Sequence, residues 1–276
     1  MELINKSYIG WDRFNKSIIN SHQDLETYRA SYDMGSLDFY DRYIPRESWL
    51  YNKRILDLGC FVGGKTQLFS ESGAKEVVGI DLSKRGIKIA KKYENEKLKY
   101  YRTSSTELKK EYKGYFDTII SFTVFEHIQK ELLPTVIDDC YELLSKNGIC
   151  IIVYNFFYDK YGAHVEHCIY HPFPQFLFQK QHYLEYCDKR LEEFHKKGLY
   201  GYFPLGYSYC KNTHNEDCYM ELNRLISFKF KKLLRESKFK KIEDFQYSRS
   251  EFVKLLFNTF PKSRLFESSH FYILYK

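Results

Sequence analysis

The chain has 276 residues, 43% of them hydrophobic, and a net charge of +7, enough for one large domain with a sizeable insertion. Its basic residues are mixed with acidic ones, and the densest runs, 84–92 and 229–241, have the spacing of solvated helix faces rather than of a nucleic-acid footprint. No hydrophobic run approaches a membrane span, the first residues lack a signal-peptide core, and the seven cysteines are scattered without a C-x-x-C pair; the expectation is a cytoplasmic protein with no membrane partner.

In chain order, residues 1–52 are polar and aromatic, with weak helical periodicity around 23–48, and are expected to form a helical cover. Residues 53–155 alternate strands and helices. "RILDLG", "EVVGID", "LKYYRT", "FDTIISF" and "GICIIVYN" read as strands, with helices predicted over "GGKTQLFSES", "SKRGIKIAKKYENE" and "ELLPTVIDDCYELLSKN". That rhythm implies right-handed βαβ units and a mainly parallel sheet. Residues 156–218 break it, holding six of the nine histidines among many aromatics with no clean period. A long irregular stretch inside a compact domain reads as a functional wall or lid. Regular structure resumes in 219–276, with a helix predicted over "DCYMELNRLISFKFKKLLRESKF" and strands over "KKIEDFQYSR" and "SSHFYILYK".

The loop "DLGCFVGGKT", residues 57–66, fits two patterns. Counted from Gly59 it is G-x-x-x-x-G-K-T, the letters of a phosphate-binding loop. That reading needs a metal-binding aspartate at the end of a later strand, and it leaves Asp57 as a negative charge beside a phosphate. Counted from Asp57, the loop is a glycine-rich turn that admits a ligand close to the backbone. Asp81, ending the second strand about 20 residues on, then suits ribose hydroxyls, and Asp57 suits a cationic amino group. On this second reading Lys65 and Thr66 merely begin the first helix.

With these elements in this order, residues 53–155 resemble the class I S-adenosylmethionine (SAM)-dependent methyltransferases of the type 11/12 kind. The resemblance implies a Rossmann-like α/β fold: a seven-stranded, mostly parallel sheet with helices on both faces, an N-terminal helical cover and an insertion after the fifth strand. It implies SAM as cofactor and S-adenosylhomocysteine as product. It places Asp57, Gly59 and Gly63 around the methionine half, with the ring of Phe61, in the same loop, able to lie beside the ligand; Asp81 falls on the ribose and Leu82 against adenine. Ser104 and Ser105 would lie near the adenine amino edge, and Phe122 at the end of the fourth strand. Phe61 stands where the family has glycine, and Ser104 where it commonly has aspartate.

Methyl transfer to a hydroxyl needs alignment and a proton acceptor, and histidine suits that task. Glu126 and His127, in "TVFEHI", follow the fourth strand at the carboxyl edge of the sheet, where ligands sit in such folds; each could equally pack locally. The stretch resembles the E-x-x-E-H motif of ubiquinone-type and small-RNA 2′-O-methyltransferases, but Thr123 replaces its first glutamate, so no metal is assigned. In the insertion, "YGAHVEHCIYHPFPQFLF" groups His164, His167 and His171 without the order of a zinc site. It resembles an acceptor-wall segment of related methyltransferases, with Phe173 and Gln175 at altered positions, which makes His164, then His167, the leading candidates for the base. Trp11, Tyr28 and Tyr32 could lie on a helix over the cofactor. The expected activity is O-methylation of a small polar acceptor. RNA 2′-O-methylation and a non-catalytic SAM- or nucleotide-binding subunit stand as alternatives.

Overall fold

The computed structural model describes residues 29, 30, 32, 34–156, 158, 223, 225–247, 259 and 268–276. Seven strands form one sheet: β1 (Arg54–Leu58), β2 (Glu76–Asp81), β3 (Leu98–Arg102), β4 (Phe116–Phe122), β5 (Leu144–Tyr154), β6 (Lys241–Gln246) and β7 (His270–Tyr275). Their order is β3-β2-β1-β4-β5-β7-β6. The first five run parallel, and β7 pairs antiparallel with both β5 and β6. The expected Rossmann-like α/β architecture is therefore present.

Strand residues alternate between two cores. On one face Leu56, Val78, Ile119, Ile152 and Tyr272 pack with helices α5 (Ser105–Tyr112), α6 (Leu133–Leu143) and α7 (Ser227–Glu236). On the other, Ile55, Val77, Ile120, Ile151 and Phe271 pack with α1 (Gly35–Asp41), α2 (Arg46–Trp49), α3 (Gly64–Glu71) and α4 (Lys84–Ala90). The parallel central strands are covered on both faces, which is why "VVGI" and "CIIVY" read as continuous apolar runs. The chain leaves β1 for β2 on one side and reaches β4 on the other. The loops after these strands therefore open a crevice at the carboxyl edge, where the strand order reverses.

Two helices differ from expectation. Helix α5 was absent from the sequence reading, although Ser104 is its N-cap and accepts the Glu107 N–H at 3.2 Å, an S-x-x-E cap visible in the sequence. Helix α7 begins at Ser227, not at residue 217. Ile226 is extended, and Asn223 turns its amide to other work described below. The insertion, with Glu166, His171, Phe173 and Gln175, lies outside the described residues, as do Trp11 and Tyr28.

Helices α5 and α6 are joined through the fully buried Asp139, which accepts hydrogen bonds from Ser105 (2.9 Å) and Thr106 (2.6 Å) and pairs with Lys109. Replacing Asp139 with alanine leaves the buried Ser105 hydroxyl without its acceptor and releases Thr106 and Lys109 from the contact. We expect a loss of roughly 2–3 kcal/mol, read as a lowered urea midpoint with an unchanged m-value.

Candidate active site at the carboxyl edge

The loop after β1 runs through three left-handed residues, Gly59 (φ 85°), Phe61 (φ 47°) and Gly63 (φ 77°). Gly59 is required twice over, since a Cβ there would fall 2.2 Å from Val124, in the loop after β4. Phe61 adopts backbone geometry that normally belongs to glycine, at a cost of about 1 kcal/mol. Two features hold it. Its N–H donates to one carboxylate oxygen of Asp81 (2.9 Å), and its ring and carbonyl rest against Gly86 of α4, where a Cβ would lie 2.8 Å from the ring. The family resemblance implies glycine at position 61, and the ring of Phe61 is accommodated by a glycine on the helix it touches. Beneath the loop, the Tyr100 hydroxyl donates to the Gly63 carbonyl (2.9 Å), and its ring passes over Gly79.

Asp81 is buried, and its second oxygen accepts the Ser83 N–H at 2.8 Å. A carboxylate offers several acceptor sites, which suits Asp81 to a ligand diol as well as to the loop. Next to it Leu82 is 62% exposed, an apolar side chain turned outward beside a buried acid. That combination fits the ribose and the adenine face of a nucleoside.

Asp57, buried at the end of β1, accepts a hydrogen bond from Thr66 (2.6 Å). Burial raises its carboxyl to about 6; the Thr66 hydrogen bond and nearby Lys65 oppose the shift, and Asp81 adds to it. Lys65 as a whole is half-buried, but its ammonium lies over the Phe122 ring, 2.7 Å from the centroid, and 5.3 Å from that of Tyr32. Burial holds this amine well below the ordinary lysine range, with Asp57 pulling the other way. Lys65 and Thr66 thus do more than begin a helix, and this corrects the sequence reading. Tyr32 and the Arg29 carbonyl close against Gly64, while Arg29 bonds Gln67 and lies over the Tyr93 ring. The described end of the N-terminal segment therefore covers the glycine loop.

Ser104 caps α5 and Ser105 donates to Asp139, so the Ser105 hydroxyl serves the α5–α6 contact rather than the adenine edge expected of it. Phe122 ends β4, and Thr123 beyond it has φ 56°, a strained value for a β-branched residue. Glu126 is buried and His127 half-buried in the turn that follows. Sequence reasoning missed the clamp on this turn. The Asn223 side chain donates to the carbonyls of Phe125 (2.7 Å) and Ile128 (2.8 Å), and its backbone N–H donates to that of Glu126 (2.9 Å). Its side-chain Oδ1 accepts from the Tyr154 hydroxyl (2.6 Å), at the end of β5. His164 and His167 lie outside the described residues, so the geometry bears on neither.

Residues 55–148 match the profile of a family described as "Methyltransferase domain". A ubiquinone biosynthesis O-methyltransferase of Pelagibacter ubique is 38% identical over 105 residues, 37% of this chain and 42% of that protein. Residues 55–148 thus carry a methyltransferase domain. An uncharacterized protein of Haemophilus influenzae is 33% identical over 108 residues, 37% of this chain and 42% of that one, so the chain spans less than half the length of these curated relatives. Among solved structures, a SAM-dependent methyltransferase from Archaeoglobus fulgidus superposes with a TM-score of 0.51 at 16% identity, covering 91% of this chain and 94% of that one. An N-methyltransferase of Haemonchus contortus, in complex with phosphomonomethylethanolamine and S-adenosylhomocysteine, gives 0.50 at 14%, covering 88% and 52%. Both show the fold.

The residues present fit SAM, the cofactor the family resemblance implies: Leu82 and Asp81 for the nucleoside, Asp57 for a cation. No helix among the described residues is long and apolar enough to cross a membrane.

The raised carboxyl of Asp57 has two measurable consequences. The folded state holds this proton more tightly than the unfolded chain, so the carboxyl's contribution to stability is present at low pH and is lost as pH rises towards about 6. Asp57→Asn removes that loss and should make the ligand-free protein about 1–3 kcal/mol more stable at pH 7 relative to wild type. A ligand ammonium needs the ionised form, so SAM affinity should weaken as pH falls below about 6 in wild type and be low and pH-insensitive in the variant. Calorimetric titrations between pH 5 and 8 check both.

Proposed function

We propose that the protein is a SAM-dependent O-methyltransferase acting on a hydroxyl of a small polar acceptor, such as a sugar, a glycan precursor, a phosphorylated compound or a natural-product intermediate. The observation that carries the reading is the placement of Asp57, Asp81 and the outward Leu82 along one crevice, with the Glu126–His127 turn following the neighbouring strand on the same edge. When bound, SAM supplies a methyl group activated by a sulfonium.

The chain's own residues have three tasks. Asp81 and Leu82 hold the nucleoside, and Asp57 fixes the amino-acid end; together they set the angle at which an acceptor must approach. In this reading the clamped turn, which carries His127, stands on the acceptor side. An imidazole there can take the hydroxyl proton as the acceptor oxygen bonds to the methyl carbon and the methyl–sulfur bond breaks with its electron pair left on sulfur, and it passes that proton to solvent afterwards. Support for an oxygen acceptor comes from the curated relatives named as ubiquinone biosynthesis O-methyltransferases, which match the cofactor-binding segment. His164 and His167 of the insertion remain rival bases by their sequence context.

Asp81→Ala should weaken S-adenosylhomocysteine binding at least about tenfold, because the variant loses both the ribose acceptor and the bond that holds Phe61. His127→Ala should lower turnover by a factor of about 10²–10⁴ with cofactor affinity unchanged. Transfer of labelled methyl from SAM to a panel of hydroxylated, amino and RNA acceptors tests the class. Label appearing only on amines or on RNA overturns the reading, as does full activity of His127→Ala, His164→Ala and His167→Ala alike.

A further inference from the structure

We infer that Lys65 receives an α-carboxylate, so that Asp57 and Lys65 together form a charge-matched seat for the zwitterionic amino-acid end of the cofactor. The inference deepens the SAM-binding reading and rests on it. Three observations point the same way. Lys65 is the second residue of α3, and its ammonium is drawn over the Phe122 ring, at the edge where β1 and β4 part, with Asp57 close enough to act on its charge. Among the described residues no carboxylate makes an ion pair with it. Asp57 instead takes the Thr66 hydroxyl. A cation taken out of water without a counter-ion is costly, and a ligand anion placed there removes the cost.

The surroundings favour an anion at that point and a cation one step away. The first turn of α3 starts there, with the Gln67 N–H the first to find a carbonyl within the helix, at Gly63. The amides of Gly64, Lys65 and Thr66 thus add positive potential beside the lysine. Among the described residues the groups facing Lys65 are Asp57 from β1, Phe122 from β4 and Tyr32. Asp57 carries the only formal negative charge of the three, and an α-amino group would neutralise it. An α-amino acid carries its two charges on adjacent atoms, so it can satisfy both residues at once, which a simple anion or a simple amine cannot.

The test is calorimetry on the full chain at pH 7.5 with three adenosine thioethers: S-adenosylhomocysteine, its decarboxylated counterpart bearing a 3-aminopropyl chain, and methylthioadenosine. Wild type should bind S-adenosylhomocysteine roughly 10- to 100-fold more tightly than the aminopropyl compound. Lys65→Met should abolish that preference by weakening the homocysteine compound alone, and Lys65→Arg should restore part of it. Thermal melts establish that each variant is folded. Equal affinity of wild type for the first two compounds overturns the inference without recourse to any variant. So does a Lys65→Met protein that binds S-adenosylhomocysteine as tightly as wild type or more so, which would make Lys65 an internal plug. If wild type binds none of the three, the SAM reading itself fails, and the assignment of Lys65 falls with it.

Discussion

One oxygen of Asp81 accepts the Phe61 N–H and the other accepts the Ser83 N–H, and the carboxyl edge is built around that bridge. The first bond keeps the glycine loop in its left-handed path. The second starts helix α4, whose cap at Ser83 takes the Gly86 N–H at 2.9 Å. Gly86 in turn lets the Phe61 ring lie against the helix. Loop, strand and helix therefore constrain each other in a closed cycle, and the residue at its centre is also the one suited to a ribose. Ligand recognition and local folding rest on the same carboxylate.

Much of this was legible in the sequence, because parallel strands buried on both faces leave apolar runs and the acids at their ends stand out. Asp57 and Asp81 were found that way. What stayed hidden depends on pairs remote in sequence. Phe61 looked like a departure from pattern, and only its contact with Gly86 explains how the chain tolerates it. A helical glycine costs about 1 kcal/mol relative to alanine, so the pair accepts two local penalties for one close approach. Lys65 and Thr66 read as helix starters because nothing in a linear pattern says that one will turn towards Phe122 and the other towards Asp57. Helix α5 was missed despite its cap, since "ELKKEYKGY" carries little apolar periodicity; its anchor is the polar contact with Asp139.

The acceptor side shows a similar dependence. Asn223 interrupts what the pattern presents as a long helix, and the interruption has a use. With its side chain and backbone it binds three carbonyls of the Phe125–Ile128 turn, and it accepts from Tyr154. The segment before residue 157 and the segment from residue 223 onward are thereby fastened to the same turn, the one that carries Glu126 and His127. Whatever the intervening residues contribute, their two roots are set by the geometry of that turn.

Asp57 and Lys65 sit against an aromatic wall rather than in water. Phe122 lies under the Lys65 ammonium, and behind it Tyr40, Trp49 and Phe69 form a buried cluster, the rings joined edge-to-face and tilted at centroid distances of 4.9–6.3 Å. Such a wall lowers the local dielectric, which strengthens any charge pairing within it and makes unpaired charges expensive. The ligand-free protein carries that expense: a carboxyl raised to about 6 and a lysine amine held well below its usual range. An uncharged site would fold more easily but would have little hold on a charged ligand. Two opposite charges kept partly dry, near each other yet without a direct ion pair, are stable enough to fold and leave each group able to accept a counter-charge from outside. The local instability is then the source of binding energy, and the buried cores on the two faces of the sheet are what allow the fold to bear it.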